Sequence, residues 1–332
     1  MLQLTSSPDD LSTAVNLLRR GELVALPFET VYGLAADATN TDAVREIFRV
    51  KGRPANHPLI VHLAAAEQLS DWVADAPETV WRLASAFWPG PLTLVLPAAR
   101  TVSMLVTGGQ TTVALRVPAH PVAQAVLRQL GRGLAAPSAN PFGHVSPTTA
   151  AHVRQHLAGT ISAVVDGGPC RVGIESTIVD LSSEHPRILR PGAITNDMLA
   201  RHLILADTVA VAAPRVPGAL ASHYAPRTPC YRIPVGLTEA PFPRRRTGLL
   251  AQYPTNWSVT RFWPMPSQPE DYARALYAAL HEADASKCEV LLIALPPDEP
   301  AWAAIHDRVR RATRSLSQAG QSVDGTLLPD GE

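Results

Sequence analysis

The sequence has few cysteines, few lysines, no excess of either charge and no long apolar run. Its 332 residues include three cysteines, Cys170, Cys230 and Cys288, and 29 basic residues balance 29 acidic ones. Sparse, widely separated cysteines form neither a disulfide framework nor a zinc pattern, so we expect a reducing, cytoplasmic environment. No stretch of about 18 apolar residues occurs, and no basic, apolar leader is visible. We therefore expect neither a membrane span nor a secretory signal.

The charges are also balanced along the chain. Residues 1–205 carry 16 basic and 16 acidic side chains, and residues 206–332 carry 13 of each. Since neither part is a polycation, we expect no stable nucleic-acid binding. Only Lys51 and Lys287 among the basic residues are lysines, which draws attention to Lys51.

Hydrophobic periodicity predicts an α/β protein with two domains and a linker. Residues 1–205 mix short apolar strands with amphipathic helices without strict alternation, which favours a mixed sheet. Residues 206–230 are rich in proline and lack an apolar period, as is typical of a stiff linker. Residues 231–332 follow a strand–helix rhythm that predicts a smaller domain with a parallel sheet. Its last predicted helix, over 302–316, carries a basic face of Arg308, Arg310, Arg311 and Arg314.

Two polar clusters follow predicted elements in the first half of the chain. Thr30 lies just after a buried strand that ends at Pro27, where ligands bind in α/β sheets; an ordinary turn is the alternative. Lys51 and Arg53 flank Gly52 after a predicted helix, on what we expect to be an exposed turn. The planar guanidinium of an arginine and the compact ammonium of a lysine together suit a polyphosphate. A solvated basic turn is the alternative interpretation of the same pattern.

Three further clusters follow along the chain. Ser138 and Asn140 come after a short strand, and Ser146 precedes a predicted helix that it is expected to cap, which together favours an anion site. Ser176 enters a strand and Arg190 precedes a Pro-Gly turn, adding donors and a cation. His223 and Tyr224 lie inside the linker, where local packing or function would explain them equally well.

The eleven histidines show no metal-ligand spacing. His152 and His156 are four residues apart on one predicted helix, but no His-Glu-x-x-His pattern surrounds them. We expect them to be a surface pair.

Together, and in this order, the clusters resemble the YrdC-like family of threonylcarbamoyl-AMP synthases in its long two-domain form. The motifs that carry this resemblance are Glu29-Thr30-Val31-Tyr32-Gly33-Leu34, Lys51 with Arg53, Pro58-Leu59-Ile60-Val61-His62, Ser138 with Asn140, and Glu175-Ser176-Thr177. The resemblance covers residues 1 to about 205, and His223-Tyr224-Ala225-Pro226 extends it to nearly the whole chain. It implies a YrdC-like twisted mixed sheet with flanking helices, followed by a smaller Rossmann-like α/β domain.

The resemblance implies a nucleotidyltransferase reaction. L-Threonine, bicarbonate and ATP, with Mg²⁺, would give threonylcarbamoyl-AMP and pyrophosphate. The product would pass to tRNA threonylcarbamoyl-transfer proteins, which modify adenosine 37 of tRNA.

The resemblance also assigns roles to individual residues. Catalysis falls to Lys51 and Arg53. Threonine would be held by Thr30, His62, Arg116, Ala136 and Ser176. The nucleotide would be held by Arg53, His57, Val113, Ser138, Asn140, Ser146, Arg190, His223 and Tyr224. His57 is a departure, because relatives often place Asn there.

Three other classes of function compete with this one. A double-stranded RNA binder conflicts with the balanced charge. A carbamoyl-transfer enzyme of the hydrogenase-maturation type would need zinc-finger and acylphosphatase regions, which are missing. A regulatory YrdC-fold protein without synthase activity is the remaining alternative, and the retained Lys51, Arg53, Ser138 and Asn140 weigh against it.

Overall fold

The computed structural model describes residues 1–206, 212–220, 222–234, 236–242 and 245–316. Parts of the predicted linker, 207–211 and 221, and the end of the predicted second domain, 317–332, lie outside the described residues. Within the described residues, no helix combines the length and the apolar character needed to cross a bilayer.

The first half of the chain builds a mixed ten-stranded sheet. Its strands are β1 (Leu2–Leu4), β2 (Val24–Leu26), β3 (Gly33–Asp37), β4 (Ile60–His62), β5 (Leu92–Pro97), β6 (Thr112–Arg116), β7 (Leu134–Ala135), β8 (Ala163–Val165), β9 (Thr177–Asp180) and β10 (Arg187–Arg190). They lie in the order β1-β8-β2-β3-β7-β4-β6-β5-β9-β10. Successive side chains of β2 point to opposite faces of the sheet: Val24 and Leu26 lie in one apolar cluster and Ala25 lies in another. This is expected for a sheet that is buried on both faces.

Several α-helices accompany this sheet. They are α1 (Pro8–Arg19), α2 (Thr41–Lys51), α3 (Glu78–Phe87), α4 (Met104–Thr107), α5 (Pro121–Leu130), α6 (Ala150–Leu157) and α7 (Asn196–Ala200). The ends of α2 follow from sequence. The Asn40 side chain accepts hydrogen bonds from the first turn, and Gly52 ends the helix in the left-handed conformation with φ 61°, which glycine adopts without strain.

The second half of the chain builds a smaller sheet, and all its strand pairs within the described residues are parallel. Its strands are β11 (Cys230–Ile233), β12 (Thr247–Ala251), β13 (Arg261–Pro264), β14 (Val290–Ala294) and β15 (Arg314–Ser315), in the order β13-β12-β14-β11-β15. Helices α8 (Pro269–Asp284) and α9 (Ala303–Ala312) pack with it. The α/β expectation of a second, parallel-sheet domain is confirmed.

The prediction of a final helix over 302–316 with a solvated basic face is wrong in two respects, the length of the helix and the exposure of its arginines. Helix α9 ends at Ala312, because Thr313 is extended (φ −132°) and its hydroxyl donates to the Val309 carbonyl. The chain then pairs with β11 as β15. Arg308 is fully buried rather than solvated.

Two other expectations are corrected by the fold. Ser146 does not cap α6; the Thr149 hydroxyl does, by accepting from the amide of His152. His152 and His156 are not a surface pair, because they pack against His281 of α8, with ring centroids 3.9 and 5.3 Å away.

Candidate active site

A cavity lies where the β2–β3 loop, the segment after β7 and the linker meet. Its walls include ten of the predicted residues: Thr30, Arg53, His62, Arg116, Ala136, Ser138, Ser176, Arg190, His223 and Tyr224. It also includes residues that sequence reasoning did not assign, namely Phe28, Val31, Gly33, Ile60, Pro137, Glu175, Pro217 and Gly218. The cavity volume is about 50 Å³, well below the roughly 300–1,000 Å³ of typical ligand pockets.

One side of the cavity presents an arginine and small polar groups. Arg116, at the end of β6, donates to the Thr30 hydroxyl at 3.0 Å, to Glu29 Oε1 at 2.5 Å and to the Gly90 carbonyl at 3.0 Å. These bonds hold the guanidinium in place and leave its remaining N–H groups for a ligand. The Ser176 hydroxyl lies 2.7 Å from that of Thr93.

His62 is held neutral on the same side. Burial, and secondarily the nearby Arg116, lower the pKa of His62 well below its usual value. Its ring packs on Phe28 with centroids 4.5 Å apart, and its Nδ1 has no hydrogen-bond partner among the described residues. Because buried polar atoms normally have partners, this nitrogen is a candidate to hydrogen-bond a substrate in the cavity.

Two further arginines of the cavity wall are buried. Arg53 and Arg190 are 6% and 2% exposed, and their hydrogen bonds include those to the Pro58, Ser176 and Pro217 carbonyls and to the Ser176 hydroxyl. Burial lowers the pKa of Arg53 to about 10; nearby Tyr224 opposes this shift and Arg190 adds to it. Because neither arginine has a carboxylate within ion-pair distance among the described residues, their positive charges favour the binding of an anion.

Lys51 has a different position from the one expected. It is buried at 3% exposure rather than solvated, and Arg53 is buried too, so the prediction of an exposed turn is wrong. The Lys51 ammonium donates to the carbonyls of Ser138 and Asn140, both at 2.5 Å. Burial, with Arg53 as a second cause, lowers its pKa well below the usual value. Lys51 thus holds the loop that carries Ser138 from behind and does not line the cavity.

Four other predicted residues also lie outside the cavity wall. Val113 packs in the core of the large sheet, and His57 packs edge-on against Phe142, 5.2 Å away. Asn140 donates to the carbonyls of Pro141 and His144. Ser146 donates to Glu175 Oε1 at 2.6 Å, so it reaches the cavity only through Glu175.

The linker closes the cavity. The Pro217 carbonyl accepts from Arg190 Nη1 at 2.9 Å, and Tyr224 is fully buried. Gly218 has φ 76°, and a Cβ there would lie 2.0 Å from the Tyr224 hydroxyl. Burial lowers the pKa of His223 to about 3, so the ring is neutral.

Glu175 is the functional residue most clearly missed from sequence. It precedes Ser176 in the motif, but its role rests on partners far along the chain, Arg308 and Tyr277. Burial would raise its pKa, but Arg308 and Arg190, with hydrogen bonds from Ser146 and Arg308, lower it to about 2. Its place in the motif Glu175-Ser176-Thr177 is the signal that sequence offers, but that motif assigns it no role.

Comparison with known proteins agrees with this architecture. Residues 16–192 match the Sua5/YciO/YrdC family described as telomere recombination, and residues 194–313 match the C-terminal domain of threonylcarbamoyl-AMP synthase. The Bacillus subtilis threonylcarbamoyl-AMP synthase is 39% identical over 329 residues, which span 93% of this chain and 94% of that protein. The Pyrococcus abyssi enzyme of the same name is 37% identical over 90% of this chain and 93% of its own.

Solved structures also match this chain over nearly its whole length. The P. abyssi protein Sua5 complexed with L-threonine superposes with a TM-score of 0.86 at 34% identity, covering 94% of this chain and 97% of that one. A P. abyssi Sua5 variant with adjacent His and Tyr replaced by Ala has the same TM-score. The fold and site thus define a two-domain enzyme of the YrdC-like class. The chain belongs to the threonylcarbamoyl-AMP synthase family in its long form, which confirms the family predicted from the motifs.

Proposed function

We propose that this protein is an L-threonylcarbamoyladenylate synthase, a nucleotidyltransferase that converts L-threonine, bicarbonate and ATP to threonylcarbamoyl-AMP and pyrophosphate. The observation that carries the proposal is the pair of buried guanidiniums of Arg53 and Arg190 in the wall of the same small cavity as the hydroxyl and imidazole groups of Thr30, His62 and Ser176. The guanidiniums suit phosphates, and the hydroxyl and imidazole groups suit a small hydroxylated amino acid.

The proposed chemistry has two bond-forming steps. The threonine amino nitrogen attacks the carbon of bicarbonate, and water leaves, giving N-carboxythreonine. A carboxylate oxygen of that carbamate then attacks the α-phosphorus of ATP, and the bond to pyrophosphate breaks. Arg53 and Arg190 stabilise the charge that builds on the phosphate oxygens, while Lys51 fixes the Ser138 loop against them.

The assignment of the threonine site follows from the hydroxyl and imidazole groups of the cavity wall. The neutral His62, whose Nδ1 lacks a partner among the described residues, and the hydroxyls of Thr30 and Ser176 are the candidates for the threonine hydroxyl. Arg116 keeps N–H groups free for the carboxylate. The cocrystallised threonine of the P. abyssi relative supports an amino-acid site in this fold.

Mg²⁺ is proposed to arrive with ATP. Among the described residues, no group of three or more His, Cys, Asp or Glu side chains could hold a metal ion. Since Mg²⁺ is commonly bound through substrate phosphates rather than by an all-protein cage, we derive no step through a protein-bound metal.

The linker is proposed to act as a lid. The cavity is too small for ATP while Pro217, His223 and Tyr224 line it, so the nucleotide requires the linker to move. Once closed, the lid would shield the reactive mixed anhydride from water. The alternative is a linker that only spaces two domains.

The product is proposed to serve tRNA threonylcarbamoyl-transfer proteins in the cytoplasm, where the three free cysteines would stay reduced. The reaction is tested by pyrophosphate release with ATP, threonine and bicarbonate together, and with each omitted in turn. Release only from the complete mixture is expected. Release independent of threonine, or none at all, contradicts a synthase and leaves the regulatory or RNA-binding alternatives, which a salt titration of RNA binding separates.

A further inference from the structure

The Glu175 carboxylate is a junction between the two domains. Its Oε1 accepts from the Ser146 hydroxyl at 2.6 Å. Its Oε2 accepts from Tyr277 of α8 at 2.9 Å and from Arg308 Nε of α9 at 2.7 Å. Glu175 itself lines the cavity, next to Ser176. One carboxylate of the cavity wall is therefore bonded to two side chains of the smaller domain.

Arg308 reaches this junction from a fully buried position. Its side chain is 0% exposed, and it also donates to Asp307 at 2.6 Å and to the Glu175 carbonyl at 3.4 Å. An arginine buried so completely has little energetic reason to be there for stability alone, because an apolar side chain of similar size often serves as well.

The same guanidinium supports the lid. It lies over the ring of Tyr224 at 5.3 Å, and the ring of Tyr277 is 5.7 Å from that of Tyr224. Arg308 thus contacts both the fixed wall of the cavity, at Glu175, and its moving wall, at Tyr224.

The charges at the junction explain why a cation is needed there. An ionised Glu175 on the cavity wall would repel the phosphates of a nucleotide. It would also attract Arg190, whose guanidinium reaches Ser176 and Pro217. A cation behind Glu175 weakens both effects, since Arg308 stabilises the carboxylate more strongly than Arg190 does and does not itself line the cavity.

We propose that Arg308, with Tyr277, is a positioning residue of the synthase site: it neutralises and orients Glu175 and supports Tyr224, so that Arg190 remains available to the nucleotide phosphates. This inference rests on the proposed function. It makes the smaller domain part of the active site, although no atom of that domain lines the cavity among the described residues.

The test compares Arg308→Met with Arg274→Met. Arg274 of α8 also bonds across the domain boundary, to the Arg171 carbonyl at 2.7 Å, but its hydrogen bonds within the described part of the chain reach neither Glu175 nor the linker. We expect Arg308→Met to raise the KM for ATP and lower kcat by about 10-fold or more each, as for loss of a charged hydrogen bond. The KM for threonine should change little, and Arg274→Met should match wild type.

Removing the charge of Glu175 tests whether Arg308 is a positioning residue or has only a structural role. If Arg308 acts by neutralising Glu175, then Glu175→Gln combined with Arg308→Met should recover most of the lost ATP affinity. This double variant leaves no carboxylate at position 175 without its arginine partner, so it also provides the test if Arg308→Met alone does not fold. An ATP KM unchanged in Arg308→Met, or a double variant still impaired about 10-fold or more, overturns the proposal.

A binding measurement separates this inference from the proposed function. Titration calorimetry with ATP, in the presence of threonine, gives the Kd for each variant without any turnover. A wild-type chain that binds ATP but forms no product contradicts the synthase, and the Kd values of Arg308→Met and the double variant then decide the positioning role. Equal Kd values for wild type and Arg308→Met overturn it.

Discussion

Arg53 and Lys51 belong to one short motif but have different positions in the site. Arg53 faces the cavity, whereas Lys51 donates both of its observed hydrogen bonds to backbone carbonyls of the 138–140 loop. Arg53 is therefore the residue that we propose for the substrate, and Lys51 holds the loop. These two bonds give a structural role to Lys51, one of only two lysines in the chain.

Replacing either cation should reduce catalysis. We expect Arg53→Ala and Lys51→Ala to lose about 10²-fold or more in the rate of pyrophosphate release. Lys51→Ala should also lower the free energy of unfolding by about 1–3 kcal/mol, because two buried carbonyls lose their donor. The exposed Lys287 is the matched control, and Lys287→Ala should behave as wild type. Near-normal release by folded Arg53→Ala would contradict the assignment.

The substrate hydroxyl provides a second test. A site that pairs this hydroxyl leaves a buried partner unsatisfied when the hydroxyl is missing, so kcat/KM for 2-aminobutyrate should fall by about 10²-fold or more relative to threonine. Serine, which keeps the hydroxyl and lacks the methyl group, should fall between the two. Steady-state kinetics with the three amino acids tests this prediction. Equal turnover of threonine and 2-aminobutyrate would show that the site does not recognise the threonine hydroxyl.

The linker is the element that moves in the proposed mechanism. Gly218 fits against the Tyr224 hydroxyl only because it has no side chain. We expect Gly218→Ala to displace Tyr224, slow adenylate formation and speed protease cleavage within residues 212–229. Gly236→Ala is the control, because Gly236 has a similar φ of 78° but a Cβ at that position would meet no atom of the described residues within 4 Å.

Substrates should also protect the linker. With ATP and threonine both present, cleavage of the wild-type linker should slow, since in the proposed mechanism the linker moves to admit the substrates and then packs over them. Cleavage that is indifferent to substrates, together with full activity of Gly218→Ala, would make the linker a spacer.

The contact between α6 and α8 is built from histidines and is sensitive to acid. Burial lowers the pKa of His152, His156 and His281 to about 4. Charged groups that face them are Asp284 and Arg227, with His144 nearby. In the unfolded chain these histidines gain protons near pH 6.5, so the stability they confer is complete above that pH and is lost as the pH falls toward 4.

We therefore expect the free energy of unfolding, measured with urea, to decline from pH 6.5 to pH 4. His281→Gln should flatten the decline, while the exposed His185→Gln should not. An unchanged pH profile for His281→Gln would show that this contact does not carry the acid sensitivity.

Elements are easier to predict from sequence than contacts. The sequence predicts helix α5 at its observed bounds, because Pro121 and Gly131 mark its ends. The burial of Lys51 is not predictable in this way, because the carbonyls it binds lie almost 90 residues further on. Glu175 and Arg308 are 133 residues apart, and no local pattern relates them. Local signals define elements, whereas a charge pair across two domains depends on how the domains pack.

At the scale of the whole molecule, the two sheets share one polar junction. The smaller domain bonds to Glu175 through Tyr277 and Arg308, and His281 Nε2 lies 3.0 Å from the Ser146 carbonyl. The linker lies between these parts, with the His223 amide donating to the Arg311 carbonyl at 3.1 Å. The cavity thus depends on both domains and on the segment that joins them.

The most direct test of the account follows carbon from bicarbonate into product. Labelled bicarbonate, ATP and threonine are incubated with the full chain, and labelled threonylcarbamoyl-AMP and pyrophosphate are quantified together. We expect one label to be incorporated for each pyrophosphate released, and we expect both to be lost in Arg53→Ala. Pyrophosphate released without incorporated label, or no label in any product, would contradict it.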